Sequence, residues 1–194
     1  EWRSTWDDDV EEHDDGYDDG FGVLDDGADA CSAIERDIAE KTLTKRLRTR
    51  QLSVSEARAV VAERDLDRET VDAVLERFQD LGYLDDAALA EQLAHVGVER
   101  KGQGRQVIAQ TMTKRGIPRE VADLALAALP DDDAERALEF ARGKARSMTS
   151  LDRDTAVRRL TGQLARRGYP GGVALTAAKQ ALDEAGATSG VRFR

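Results

Sequence analysis

The sequence predicts an all-α protein, an elongated and curved array of three tandem three-helix repeats that follows a disordered acidic tail. Long stretches are rich in Ala, Leu, Arg, Glu and Gln, which favour helices, and runs of alternating β-branched or aromatic residues are absent. A pattern around Arg64 also recurs at Arg115 and Arg167, which indicates an internal repeat. The three prolines stand beside a glycine or at the end of an apolar-periodic segment, so none of them interrupts a helix.

The predicted tail comprises residues 1–30, which hold 13 acidic residues and one basic residue, Arg3, so their net charge is −12. Since the whole chain has a net charge of −10, residues 31–194 carry +2. Such dense like charge repels itself and cannot form a core, which predicts disorder. The aromatic residues of the tail are Trp2, Trp6, Tyr17 and Phe21. The tail therefore either solubilises the chain or serves as a docking strip or a mimic of nucleic acid that competes with an anionic partner.

Composition excludes several classes of protein. No run of about 18 apolar residues could span a membrane, and no basic head with a short apolar stretch opens the chain as a secretory signal would. We therefore expect a cytoplasmic protein that does not bind a membrane. Cys31 is the single cysteine, which excludes an internal disulfide framework, and with His13 and His95 it gives no cluster with zinc-ligand spacing. We expect neither a metal nor another cofactor.

Each predicted repeat consists of one helix followed by a second helix, a tight turn and a third helix. The predicted divisions of the chain are the tail at 1–30, repeats at 31–84, 85–130 and 131–185, and a C-terminal tail at 186–194. The first helices of the repeats are expected at 33–49, 86–100 and 134–146. Residues that cap helices or place negative charge at their starts are Ser53, Ser55, Asp67, Asp85, Asp86 and the triplet at 131–133.

The tight turns share a common chemistry. Gly116 and Gly168 stand where a helix ends in a left-handed residue, a conformation that glycine adopts without strain. The next residue is apolar and covers the junction, and a proline then begins the following helix with its φ angle preset. In the first repeat Asp65 takes the glycine position, and aspartate tolerates the left-handed conformation less well.

Two helices show a core-facing side. Between residues 69 and 81 the apolar side chains fall within about 120° on a helical wheel, namely Val71, Val74, Leu75, Phe78 and Leu81. Between residues 154 and 167 the predicted core side consists of Val157, Leu160 and Leu164. The predicted opposite side of that helix consists of Arg158, Arg159, Arg166 and Arg167.

Basic residues are clustered along the chain, and the candidates for contact with a partner are Lys45, Arg46, Arg48, Arg50, Arg100, Lys101, Arg105, Lys114, Arg115, Arg158, Arg159, Arg166 and Arg167. Clusters of this kind contact phosphates or an acidic protein face, and arginine suits both. Charge blocks are also common on solvated helix faces, and this alternative stays open.

Three segments of the chain resemble the RecX family of recombination regulators. They are Leu81-Gly82-Tyr83-Leu84-Asp85-Asp86, Arg100-Lys101-Gly102-Gln103-Gly104-Arg105 and Lys114-Arg115-Gly116-Ile117, with Gly168 at the corresponding turn of the third repeat. The resemblance covers roughly residues 33–184. The chain departs from the family pattern at Leu89, where an aromatic residue is common, at Asp65, and at Ala57, which is small for a core position. We interpret these departures as packing variants.

The resemblance implies a non-enzymatic inhibitor of the RecA recombinase that binds in the groove of the RecA–DNA filament. Such a protein modulates ATP hydrolysis, filament extension and strand exchange, and so regulates homologous recombination, DNA repair and the SOS response. The implied partner is the RecA filament, which the basic residues named above would contact directly or through DNA phosphates. We also expect weak binding to single- and double-stranded DNA, and a monomer, since nothing in the sequence indicates a coiled coil.

Two other functions stay open. A helix–turn–helix DNA-binding protein would also use short helices joined by a glycine turn, although the helix after Gly116 is largely apolar over residues 121–126 and would read base edges poorly. A helical-repeat scaffold for another protein fits the repeat equally well. An enzyme is disfavoured, because Asp85 and Asp86 diverge by about 100° on a helix and residues 97–104 lack the lysine and hydroxyl that end a phosphate-binding loop.

Overall fold

A computed structural model describes the backbone of residues 26–148 and 150–190 and the side chains of residues 31–148 and 150–186. Helices are the only regular elements in these ranges, which confirms the predicted all-α class. The predicted tail lies outside the described residues up to position 25, so its disorder stays a prediction.

The helices follow one another in three groups of three. The first group is α1 (Asp26–Leu47), α2 (Val54–Val61) and α3 (Arg68–Asp80). The second group is α4 (Asp86–His95), continued by a π-helical turn at Val96–Arg100, then α5 (Arg105–Lys114) and α6 (Arg119–Ala127). The third group is α7 (Asp133–Ala145), continued by a 3₁₀ turn at Arg146–Met148, then α8 (Arg153–Arg166) and α9 (Gly171–Gly190).

Two predicted divisions differ from the helix bounds. Helix α1 begins at Asp26, inside the segment assigned to the tail. Helix α9 continues to Gly190, past the predicted end of the third repeat at residue 185. Continuing a helix that already exists adds one hydrogen bond per residue, which favours extension at its end.

Three separate clusters of buried apolar side chains form the core, one for each group of helices. Their largest fully buried members are Leu43, Val74 and Leu75 in the first, Leu89, Ile108 and Met112 in the second, and Leu160, Leu164 and Tyr169 in the third. We propose the divisions between repeats at 84/85 and 130/131, because both fall between clusters. Each cluster is small, so neighbouring repeats must stabilise one another through contacts across these divisions.

The predicted core sides of two helices are largely confirmed. The predicted residues that are buried are Val71, Val74, Leu75, Phe78, Leu160 and Leu164. The prediction is wrong for Leu81, which is 56% exposed, because α3 ends at Asp80 and the chain turns at Gly82, where φ is 72°. In α8, Val157 is only half-buried, and Ala156 is the buried residue at that level.

The tight turns behave as predicted in two repeats out of three. Gly116 and Gly168 have φ angles of 72° and 88°, which confirms the left-handed conformation. The prediction is wrong for Asp65, because no described residue other than glycine has a positive φ. The first turn is instead closed by a hydrogen bond from the Leu66 N–H to the Arg64 carbonyl oxygen at 2.8 Å.

Candidate partner-binding surface and the joints between repeats

The first joint connects the start of α2 in repeat 1 with the end of α5 in repeat 2. Ser53 and Glu56 cap α2 reciprocally: the Glu56 N–H donates to Ser53 Oγ, and the Ser53 N–H donates to Glu56 Oε2, both at 3.0 Å. This capping box fixes the Glu56 carboxylate at the N-terminus of α2. The Ser53 hydroxyl in turn donates to the carbonyl oxygen of Arg115, the residue that follows α5.

Arg115 closes this joint from the side of repeat 2. Its Nε and Nη2 donate to Oε1 and Oε2 of Glu56 at 3.2 and 2.6 Å, and Nη2 also donates to the carbonyl oxygen of Gln51 at 2.6 Å. The side chains of Arg115 and Glu56 are only 18% and 23% exposed, so this two-pronged ion pair is largely shielded from water. Arg115 is therefore committed to the contact between the repeats.

The carboxylates of the first joint have shifted pKa values. Burial is the largest influence on Glu56 and favours its protonated form, but hydrogen bonds from Arg115 and the Ser53 N–H, together with the nearby charge, outweigh burial and lower the pKa of Glu56 from 4.5 to about 2. Burial raises the pKa of Asp86, which accepts a hydrogen bond from the Val54 N–H at 3.0 Å. The ionised form of Glu56 is thus the form that holds the joint together.

The second joint repeats this plan between repeats 2 and 3. The Gly104 N–H donates to the Arg167 carbonyl oxygen at 2.8 Å, and Arg167 Nη1 donates to the Lys101 carbonyl oxygen at 2.7 Å. The Tyr169 hydroxyl donates to the carbonyl oxygen of Gly102 at 3.2 Å. As in the first joint, an arginine that follows the second helix of one repeat reaches the chain just before the second helix of the preceding repeat.

Arg167 does not belong to the exposed arginine side of α8, so the prediction is wrong for this residue. It follows Leu160 by seven positions and therefore falls within about 20° of that core residue on a helical wheel. Its guanidinium contacts repeat 2, and its Cζ lies 4.1 Å from the centre of the Phe140 ring, a cation–π contact.

Glycines allow the backbones to approach closely at both joints. A Cβ at Gly116 would lie 2.5 Å from Ser55 Oγ, and a Cβ at Gly168 would lie 2.5 Å from the Val107 backbone nitrogen. A Cβ at Gly104 would overlap with the carbonyl group of Gly168. Neither joint therefore has room for a side chain at these positions. The positive φ of Gly116 and Gly168 is a second reason why these two residues are glycine.

The residue equivalent to Arg115 and Arg167 in repeat 1 is Arg64, which has no preceding repeat in the described structure to contact. Its Nη1 lies 3.6 Å from Oε2 of Glu35, within the same repeat. The next residue, Asp65, is exposed, and its turn has no preceding repeat in the described structure to pack against. This explains why a side chain is tolerated there and why a positive φ is not required.

Arg105, another candidate, also has an internal role. Its Nη2 donates to the carbonyl oxygens of Leu129 and Pro130 at 3.1 and 2.6 Å, and its Nη1 lies 3.5 Å from the Asp131 carboxylate. These contacts hold the start of α5 against the connection between α6 and α7.

The other candidates are exposed, and most of them have no internal partner. Arg46 pairs with Glu63 at 3.2 Å, and Arg50 pairs with Glu56 at 3.1 Å. The remaining eight, which we name the accessible cations, are exposed and form no ion pair with a carboxylate among the described residues: Lys45, Arg48, Arg100, Lys101, Lys114, Arg158, Arg159 and Arg166. At least two of them lie on each repeat.

The segment 81–86 ends the first repeat and starts the second. Gly82 reverses the chain after α3, so that the buried Leu84 returns to the first core cluster. The Tyr83 ring packs at 5.9 Å from the Phe78 ring but remains 62% exposed. Asp85 then caps α4, accepting hydrogen bonds from the N–H groups of residues 87 and 88, both at 2.9 Å.

Comparison with known proteins assigns the chain to a family. Residues 85–126 match the family model described as "RecX, second three-helix domain". The regulatory protein RecX of Streptomyces coelicolor is 34% identical over 152 residues, which cover 78% of this chain and 79% of that protein. The chain belongs to the RecX family. The regulatory protein RecX of Mycolicibacterium vanbaalenii is 37% identical over 142 residues, which cover 69% of this chain and 74% of that protein.

A solved RecX structure has the same fold. The crystal structure of RecX from Lactobacillus salivarius superimposes with a TM-score of 0.70, covering 78% of this chain and 99% of that one, at 18% sequence identity. The relatives are named as regulatory proteins, which supports a regulatory role for this RecX chain.

Sequence reasoning missed several residues of the joints in this RecX chain. Ser53 is identified as a helix cap from the sequence, and its spacing from Glu56, the signature of a capping box, could have identified Glu56 as well. No local signal in the sequence connects Glu56 with Arg115 or Phe140 with Arg167, because these partners are distant along the chain. Within the described residues, no group of three or more His, Cys, Asp or Glu side chains could hold a metal, and no helix has the length and apolar character to cross a membrane.

Proposed function

We propose that this RecX-family chain is a non-enzymatic inhibitor of a RecA-type recombinase that binds in the groove of the RecA–DNA filament. It would modulate ATP hydrolysis, filament extension and strand exchange during DNA repair. The observation that carries the proposal, beyond family membership, is that the accessible cations occur on all three repeats and have no internal carboxylate partner. Such cations are available for acidic protein surfaces or for phosphates.

The joints supply the second part of the proposed mechanism. Ion pairs, carbonyl contacts and close-packed glycines hold each repeat against the next, so that the accessible cations stay at defined spacings. A rigid array can contact several sites of a filament at once, and linked weak contacts raise the overall affinity. Preferential binding to one arrangement of filament subunits would then oppose the changes that ATP turnover and strand exchange require.

The direct test is the rate of ATP hydrolysis by RecA on single-stranded DNA, measured with increasing amounts of the full chain. A parallel titration measures binding to single- and double-stranded DNA alone. We expect inhibition at ratios well below one chain per recombinase subunit, with weak DNA binding. Unchanged hydrolysis with tight, sequence-selective DNA binding would contradict the proposal and favour a helix–turn–helix DNA-binding protein. Unchanged hydrolysis without DNA binding would favour a scaffold for another protein.

A triple variant tests the role of α8. Arg158→Ala, Arg159→Ala and Arg166→Ala together remove three accessible cations and should weaken the inhibition. The matched control removes the same charge from arginines that already pair with a carboxylate, through Arg68→Ala, Arg119→Ala and Arg153→Ala. If both variants lose inhibition equally, net charge is responsible and this part of the surface has no specific role.

We further propose that the chain acts in the cytoplasm and is a monomer. Sedimentation analysis of the purified chain tests the oligomeric state directly. A stable dimer at micromolar concentration would require a different stoichiometry on the filament.

A further inference from the structure

A groove in repeat 1 combines exposed apolar side chains with a basic rim. It has a volume of about 920 Å³ and lies between the second half of α1 and the end of α3. Its apolar lining includes Phe78, Leu81 and Tyr83, and the last two are 56% and 62% exposed. Exposed aromatic and aliphatic side chains grouped in one groove are typical of a binding surface.

The charge of the groove favours an anionic occupant. Four cations line it, of which Lys41 pairs with Asp37 at 2.5 Å and Arg77 pairs with Glu40 at 3.0 Å. The other two, Lys45 and Arg48, belong to the accessible cations. The carboxylates of the lining are thus already engaged, whereas two cations are available to an occupant.

The N-terminal segment of the same chain has the complementary chemistry. Residues 1–25 hold eleven acidic residues and one arginine, with Trp2, Trp6, Tyr17 and Phe21 distributed among them. Alternating carboxylates and aromatic rings would pair with the basic rim and the apolar lining, respectively.

The segment is also long enough to reach the groove. It enters α1 at residue 26, and the far end of the groove at Arg48 lies about 33 Å along the helix axis. Twenty-five residues can span up to about 85 Å when extended. Since the segment is tethered to the helix that forms one wall, its effective concentration at the groove is on the order of millimolar.

We propose that residues 1–25 dock in the groove between α1 and α3 of their own chain, and that an anionic partner must displace them to reach Lys45 and Arg48. While the segment is docked, it covers Lys45 and Arg48, and these two side chains become accessible to a partner only when the segment leaves the groove. This inference does not depend on the identity of the partner, and it holds whether or not the partner is a RecA filament.

The chain offers a specific probe, because both of its tryptophans, Trp2 and Trp6, lie in this segment. We expect the full chain to show tryptophan emission at shorter wavelength and less quenching by acrylamide than a free peptide of residues 1–25. The double variant Lys45→Glu and Arg48→Glu should lower the docking equilibrium constant about tenfold, since each exposed ion pair contributes a factor of a few and charge reversal adds repulsion. Its emission and quenching should then approach those of the free peptide.

The matched control is Lys144→Glu and Arg146→Glu, which reverses one lysine and one arginine that are exposed and have no ion-pair partner among the described residues of repeat 3. It should leave the tryptophan signal unchanged. A third variant, Tyr83→Ser, removes an exposed ring of the groove without changing charge and should also increase quenching. Circular dichroism verifies that each variant keeps its helix content.

Three results would overturn the proposal. Full-chain emission and quenching equal to those of the free peptide would mean that the segment does not dock. If the groove variant and the control variant increase tryptophan quenching equally, the segment is attracted to positive charge in general and does not dock specifically in this groove. A signal that disappears on dilution of the full chain would place the segment on a second copy.

Discussion

The ion pair between Arg115 and Glu56 should make a large contribution to stability, because it connects two repeats in a shielded site. Arg115→Ala would leave the Glu56 carboxylate largely buried without two charge-assisted hydrogen bonds. Each such bond contributes about 1.5–3 kcal/mol, but the residual exposure of both side chains reduces this, and we expect a loss of about 2–3 kcal/mol. The lowering of the Glu56 pKa to about 2 corresponds to a net preference of about 3 kcal/mol for the ionised form, to which Arg115, the Ser53 N–H and Arg50 contribute against the effect of burial.

The measurement is urea unfolding of a double-mutant cycle with Arg115→Ala and Glu56→Gln. We expect a coupling energy of about 1–2 kcal/mol and a broader transition in the single variants, because weaker contact between repeats reduces cooperativity. Arg58→Ala is the control, since Arg58 pairs with Asp72 at 2.6 Å but both side chains are nearly half-exposed, and its loss should be below about 1 kcal/mol. A coupling energy below about 0.5 kcal/mol would refute the argument.

The same contact predicts the direction of the pH dependence. The pKa of Glu56 is lowered on folding, so the unfolded chain binds a proton at this residue before the native chain does. The contribution of Glu56 is therefore fully present above pH 4.5 and is lost as the pH falls towards about 2. Glu56→Gln should flatten the decline of the unfolding free energy across this window. An unchanged slope would mean that Glu56 is not held in its ionised form by the joint.

Two further predictions concern the second joint. Gly168→Ala should destabilise the chain by about 1–3 kcal/mol, because φ is 88° and the new Cβ would overlap with Val107. Gly171→Ala is the control: a Cβ at this position would have no atom within 4 Å, so the unfolding free energy should change by less than about 1 kcal/mol. Equal effects in thermal unfolding would contradict the close-approach argument. Tyr169→Phe removes the hydrogen bond to Gly102 and should cost about 0.5–1.5 kcal/mol with unchanged helix content; no loss would mean that the hydroxyl does not support the joint.

The sequence predicts helices and turns well where the signal is local. The spacing of apolar residues identifies the core sides of α3 and α8, and the position of Gly116 and Gly168 identifies the left-handed turns. The errors occur where a helix ends. The prediction for Leu81 continues the helical wheel beyond Asp80, the last residue of α3, and there the direction of the side chain depends on the turn. Arg167 also follows its helix, but the wheel itself places it beside Leu160, so its assignment to the opposite side disagrees with the helical period.

The joints could not be predicted from local patterns, because the partners that Arg115, Arg167 and Tyr169 contact across them are 59 to 67 residues away along the chain. The repeat in the sequence, however, relates the two joints to each other. Arg115 and Arg167 occupy equivalent positions, and both donate to a backbone carbonyl oxygen of the preceding repeat, so once one joint is known, the sequence offset locates the other. The candidate surface consists of the accessible cations, which are the predicted basic residues that take part neither in the joints nor in internal ion pairs.

The exception in repeat 1 supports this account of the joints. If glycine were needed only to end a helix, Asp65 would require a positive φ, but it does not have one. If glycine is needed because the preceding repeat lies against the turn, the requirement disappears at the first repeat, where no preceding repeat is present in the described structure. Arg64 correspondingly contacts α1 of its own repeat. The turn is therefore constrained chiefly by the neighbouring repeat, and Asp65→Gly should give no gain in the free energy of unfolding, whereas a gain would show that the turn itself demands glycine.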